Sequence, residues 1–153
     1  MNGASGSWSR EWMNLAILAN RLSLGLYFFL AGLGKIRGGV GQFYQGAFAG
    51  LRPAWLPDWF AGPYGYALPF LEAAVGVLLI AGFRARPAAG LTLLMLTSFT
   101  IALTGAGRFF GSSGPFHANV IFITLAFLLT VTGPGSLSLD AIRSRRGRRA
   151  TGV

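Results

Sequence analysis

Four long apolar stretches dominate the pattern of hydrophobic and polar positions, at about residues 13–34, 66–83, 88–105 and 117–132. A transmembrane helix needs about 20 mainly apolar residues to cross the hydrocarbon core of a bilayer. Backbone polar groups inside lipid must be satisfied within the segment, which favours helices. The pattern therefore predicts an all-α integral membrane protein, a four-helix bundle forming a single domain over residues 1–153.

The segment between the first two apolar stretches is rich in glycine, proline and aromatic residues. Six of its apolar residues recur at helical spacing: Val40, Phe43, Tyr44, Ala47, Phe48 and Leu51. This spacing predicts a short amphipathic helix at the bilayer interface between spans 1 and 2. Trp55, Trp59 and Tyr64 follow, and such residues favour the headgroup level. The helix either caps the first two spans or forms a lid over a site between the helices.

Composition supports the membrane assignment and excludes several kinds of chemistry. The chain is 53% hydrophobic and 11% charged, whereas soluble domains are about a quarter charged. Cysteine is absent, which excludes thiol–disulfide exchange, cysteine nucleophiles and Cys-ligated iron–sulfur clusters within the chain. The single histidine excludes a bis-His haem built from one copy. The small, polar residues 1–9 predict no regular structure.

Positive charge is concentrated in the C-terminal tail, residues 136–153, which holds five of the thirteen basic residues. Such a run can bind nucleic acid, but beside a span it is more typical of the cytoplasmic side and of contact with anionic lipid. We therefore expect the lipid bilayer, and no nucleic acid, as a partner. The side with both termini and the 84–87 turn carries more arginine, so both termini are expected in the cytoplasm of a multi-pass protein of the bacterial inner membrane.

Glu72 lies within the second apolar stretch, where a carboxylate needs a partner or a functional role. Arg21 and Lys35 share one helical face of the first stretch with two glycines, and we expect this face to point inward. Helical rise places Arg21 about 12 Å and Glu72 about 16 Å from the cytoplasmic edge. We predict that Glu72 pairs with Arg21, with Lys35 as the alternative partner. The pair either fixes which helices face each other or forms a proton or quinol site.

Two further polar features have a structural and a functional interpretation. His117 lies near the outer edge, either as an interfacial residue or as a ligand to a quinone oxygen. Thr97, Thr100 and Thr104 line one face of the third stretch, and Thr124 lies in the fourth. Their hydroxyls either form structural bonds, back to their own helix or across to a neighbouring one, or line a cavity that binds a ligand.

Three motifs occur in order over about residues 21–140: RLSLGLYFFLAGLGK ending at Lys35, LPFLEAAVGVLLIAGF around Glu72, and GPGSLSLD ending at Asp140. On these motifs the chain resembles the DoxX family of small bacterial membrane proteins. The resemblance implies a four-helix membrane fold and a subunit, itself catalytic or not, of a quinone-linked membrane oxidoreductase with a redox protein partner. No sulfur-handling motif accompanies it.

Two other classes of function remain open. The chain could be a stand-alone membrane protein that binds or moves a small lipophilic molecule, or a purely structural membrane anchor. Four short spans leave little internal volume, so a homo-oligomer with a site between copies is a further hypothesis.

Overall fold

The computed structural model describes residues 3–108, 110 and 118–150. Within these ranges, side chains are described for residues 9–147. Every regular element in these ranges is helical, which confirms the all-α prediction. The elements are α1 (Gly3–Arg37), α2 (Val40–Phe43), a π-helical turn (Tyr44–Phe48), α3 (Ala49–Leu51), α4 (Asp58–Ala81), α5 (Ala85–Gly105), α6 (Asn119–Thr132) and α7 (Leu139–Ala150).

The helices pack as two pairs. Helix α1 lies along α4 and α5 lies along α6, whereas α4 meets α5, and α1 meets α6, over smaller surfaces. The core contains Leu24 and Phe28 of α1, Leu79 of α4, Leu96 of α5 and Leu129 of α6, all almost fully buried. The limited contact between α4 and α5 leaves room for the cavity described below.

Glycines allow α1 and α4 to approach closely. A Cβ atom added at Gly32 would lie 2.5 Å from the backbone of Ala73 and Pro69, and one at Gly76 would lie 2.4 Å from the Phe29 nitrogen. Close backbone approach at small residues is a main source of helix association in membranes. The inward orientation predicted for the Arg21–Lys35 face of α1 is confirmed, because Arg21, Phe28 and Gly32 are buried.

Three of the helices are long and apolar enough to cross a membrane: residues 9–37 of α1, α4 and α5. Helix α6 is apolar but has only 14 residues, or about 21 Å of helix against about 30 Å of hydrocarbon. The chain is therefore a multi-pass helical membrane protein in which three of the four predicted spans meet the length requirement.

Two predictions from sequence about helix bounds are wrong. Residues 1–9 were expected to be irregular, but α1 begins at Gly3. The second span was expected to begin at Tyr66, but α4 begins at Asp58, so Pro63 and Pro69 both lie inside it. Proline lacks an N–H, so Pro69 cannot bond the carbonyl of Gly65. Neighbouring helices and side chains make such prolines tolerable in membrane helices.

Candidate functional site

Lys35 and Glu72 form a salt bridge between α1 and α4. The Lys35 ammonium donates to both carboxylate oxygens of Glu72, at 2.5 Å each. The Glu72 side chain is only 2% exposed, whereas that of Lys35 is 28% exposed. The Lys35 nitrogen also lies 5.0 Å from the ring centre of Phe43 and 6.0 Å from that of Phe99. The Glu72 carboxylate is thus enclosed, and the Lys35 ammonium lies between it and the aromatic rings.

The prediction that Glu72 pairs with Arg21 is wrong, and the alternative partner Lys35 is the one observed. The Arg21 guanidinium donates instead to the carbonyls of Pro134 and Leu137, both at 2.7 Å. It lies against Gly82, ten residues beyond Glu72 along α4, a distance of about 15 Å at helical rise. Arg21 therefore extends towards the end of the helix and holds the connector between α6 and α7.

The same end of the molecule has a second polar connection. Asp140 of α7 accepts hydrogen bonds from the backbone nitrogens of Arg84 and Ala85, at 2.9 and 3.0 Å. These amides lie at the start of α5, where the first backbone N–H groups have no carbonyl acceptor within the helix. Asp140 therefore caps α5 from outside that helix, and we assign this end of the molecule a structural role.

A cavity of about 690 Å³ lies between α4 and α5 beneath the segment formed by residues 40–56. This size falls within the range of small-molecule sites, about 300–1,000 Å³. Its wall is mainly aromatic and aliphatic, and the lining residues include Phe43, Phe48, Trp55, Phe60, Tyr64, Leu68, Met95 and Phe99. Lys35 belongs to this lining, and its ammonium lies near two other lining residues, Phe43 and Phe99, so the partly buried Lys35 side chain is at the cavity wall.

The 40–56 segment is held over the cavity by aromatic contacts. Tyr44 stacks on Tyr66 of α4, with ring centres 4.5 Å apart, and on Phe48, at 5.4 Å. The rings of Tyr44 and Phe48 pack on α4 at Gly65, where an added Cβ would lie less than 3 Å from both. The amphipathic helix predicted here is present as α2, the π-helical turn and α3. Its position supports the lid interpretation.

Further polar residues of the cavity lining include Tyr64, Ser98 and Arg52. Tyr64 is hydrogen-bonded to Ser98 across α4 and α5 at 2.9 Å. Because Ser98 gives its only hydroxyl proton to the carbonyl of Met95, the Tyr64 hydroxyl is the donor in this bond. Arg52 pairs with Asp58 and donates to the carbonyl of Leu56 at 2.6 Å. Both cations described at the cavity, Lys35 and Arg52, therefore have carboxylate partners.

The four threonines proposed as cavity-lining residues are not part of this lining. Thr97 and Thr100 donate to the carbonyls four residues earlier in α5, and Thr104 does the same. Thr124 donates to the carbonyl of Ile121 in its own helix. Their observed bonds are those of the structural interpretation. His117 lies outside the described residues.

Sequence reasoning missed Ser98 and the Arg52–Asp58 pair. Ser98 lies beside the threonine stripe but on another helical face, and its link to Tyr64 joins residues far apart in the chain. Arg52 and Asp58 are close in sequence and flank the Pro53–Pro57 turn. Their opposite charges were the available signal for an ion pair.

Comparison with known proteins corrects the family assignment. No curated protein and no solved structure matches the chain significantly. Residues 13–132, which include α4, α5 and α6, match the family model described as methylamine utilisation protein MauE. This is a different membrane family from DoxX, so the DoxX resemblance is wrong. The helical membrane fold and this match together assign the chain to the MauE family.

Proposed function

We propose that the chain is the membrane component of a redox-related system of the methylamine-utilisation kind, and that it binds a small lipophilic molecule between α4 and α5. The observation that carries the binding proposal is the 690 Å³ cavity with the Lys35 ammonium at its wall. The methylamine-utilisation context comes from the name of the family.

The chain itself has few groups for electron transfer. Cysteine is absent from the whole sequence, so any thiol chemistry of such a system belongs to another polypeptide. A membrane component of this kind contributes by holding a ligand or a partner in place. A quinone is the ligand class we propose, because it is a lipophilic redox carrier with an apolar chain and carbonyl oxygens that Lys35 can bond.

The proposed setting is the bacterial inner membrane with both termini in the cytoplasm, an arrangement in which the short, apolar α6 crosses as the fourth span. The concentration of arginine at that side supports this orientation. A redox protein partner, embedded or peripheral, would complete the system.

Gentle-detergent purification from the native host tests the proposal. Solvent extraction and mass spectrometry should recover a quinone or another lipophilic molecule, together with a co-purifying redox protein. Ala102 lines the cavity, so the ring of Ala102→Phe should occupy part of it and lower the amount of ligand recovered. Ala74→Phe is the matched control, since Ala74 is exposed on α4. A wild-type protein that is empty and without a redox partner would favour the structural anchor instead.

A further inference from the structure

We infer that the Lys35–Glu72 pair selects the ligand by charge, so that the cavity accepts uncharged, carbonyl-bearing amphiphiles and excludes anionic ones. This inference rests on the proposed function, because it names the class of ligand that the same cavity takes. It assigns Glu72 a task that a purely structural ion pair would not have.

The first step is the number of donors that Lys35 has left. An ammonium has three N–H donors, and the two oxygens of Glu72 each accept a bond from it. At least one N–H therefore remains for a ligand. Lys35 lines the cavity, whereas Glu72 is 2% exposed and lies behind it. A ligand in the cavity can therefore contact the Lys35 ammonium directly, whereas Glu72 acts on it only by long-range electrostatics.

The second step is the net charge at the wall. An unpaired lysine facing an apolar cavity would strongly attract anionic lipids and fatty acids, because charges interact more strongly at low dielectric constant. Glu72 cancels this attraction at Lys35. The other cation in the described lining, Arg52, pairs with Asp58, whose side chain is 91% exposed, so solvent already screens the charges of that pair. The two ion pairs together carry no net charge, so an anion gains little on entering and loses its hydration.

The third step is the chemistry that remains favourable. A neutral carbonyl oxygen can accept the free N–H of Lys35 without bringing a charge into the cavity. Phe43 and Phe99, whose ring centres lie 5.0 and 6.0 Å from the ammonium, can flank a flat head group. The remaining aromatic and aliphatic wall can take an alkyl chain.

Two probes with the same chain length test the inference. The full chain is placed in phosphatidylcholine nanodiscs and titrated calorimetrically with decyl-benzoquinone and with decyl sulfate, a permanent anion. The wild-type protein should bind the quinone at least about 10-fold more tightly than the sulfate. Glu72→Gln should tighten sulfate binding at least about 10-fold and change quinone binding less than about 3-fold.

Two controls separate local charge from other effects. Asp58→Asn removes the other carboxylate, but the Asp58 side chain is 91% exposed, so solvent screens the change and both affinities should stay within about 3-fold. The double variant Lys35→Gln/Glu72→Gln has no stranded charge, so it should fold and should show no gain for the sulfate. A gain for the sulfate in this variant would overturn the inference even if Glu72→Gln alone does not fold.

The outcomes distinguish the inference from the proposed function. Equal binding of the two probes by the wild-type protein would overturn charge selection while leaving the cavity as a binding site. Unchanged preference in a folded Glu72→Gln variant, or a gain for the sulfate in the double variant, would also overturn it. Failure of the wild-type protein to bind either probe would reject the lipophilic-ligand function itself.

Discussion

Loss of Lys35 from the Lys35–Glu72 pair should destabilise the protein more than loss of Glu72. Lys35→Met leaves a carboxylate that is 2% exposed and has no other hydrogen-bond donor among the residues that the structure describes. Breaking a buried pair from one side costs about 3–5 kcal/mol. Glu72→Leu leaves an ammonium whose side chain is 28% exposed, near the rings of Phe43 and Phe99. Access to the cavity and cation–π contacts reduce that cost to about 1–3 kcal/mol.

Thermal unfolding of the variants in one detergent, followed by circular dichroism, measures the difference. At about 2–4 °C per kcal/mol, Lys35→Met should lower the melting temperature by about 6–20 °C and Glu72→Leu by clearly less. Asp58→Asn, in the exposed Arg52–Asp58 pair, should change stability by at most about 1 kcal/mol. Equal losses for Lys35→Met and Asp58→Asn would refute the claim that burial sets the cost.

Three other predictions concern packing and the end of the molecule near the C-terminus. Gly32→Ala should destabilise the protein by about 1–3 kcal/mol, because the added methyl group forces α1 and α4 apart. Gly34→Ala is the control and should leave stability unchanged in the same unfolding assay, because the space around Gly34 is open. Arg21→Met should speed amide hydrogen exchange in residues 135–138 at least about 10-fold, because the contacts of Arg21 with the carbonyls of Pro134 and Leu137 are lost. Unchanged exchange would contradict this role of Arg21. Asp140→Ala should lower stability by about 1 kcal/mol through loss of the α5 cap, and an unchanged melting temperature would argue against it.

The sequence could predict the helices and the inward face of α1, because the period of 3.6 residues fixes which side chains share a face. It could also identify Glu72 as a residue that needs a partner, since an isolated carboxylate is costly in hydrocarbon. It could not identify that partner correctly. Depth along a helix does not say which way a long side chain points, and Arg21 points away from Glu72 to the carbonyls of Pro134 and Leu137.

The cavity was beyond sequence reasoning for a different reason. Its wall combines the 40–56 segment with α4 and α5, and the spacing between two helices depends on packing that no local pattern records. The threonine stripe illustrates this limit. Periodicity placed Thr97, Thr100 and Thr104 on one face, but it could not show that their hydroxyls bond within α5 while the neighbouring Ser98 faces the cavity.

The position of the ion pair favours a task at the cavity over a purely structural one. Close approach at Gly32 and Gly76 already fixes the register of α1 on α4, so the pair is not needed for that purpose. Replacing a buried pair by apolar residues of similar size is often neutral or stabilising. The free energy of unfolding of the double variant Lys35→Met/Glu72→Leu should therefore be within about 1 kcal/mol of the wild-type value, or higher than it. The same variant should bind decyl-benzoquinone at least about 10-fold more weakly in nanodiscs, because the Lys35 donor is gone. Loss of stability with retained quinone binding would reverse this conclusion and leave the pair as a structural link between α1 and α4.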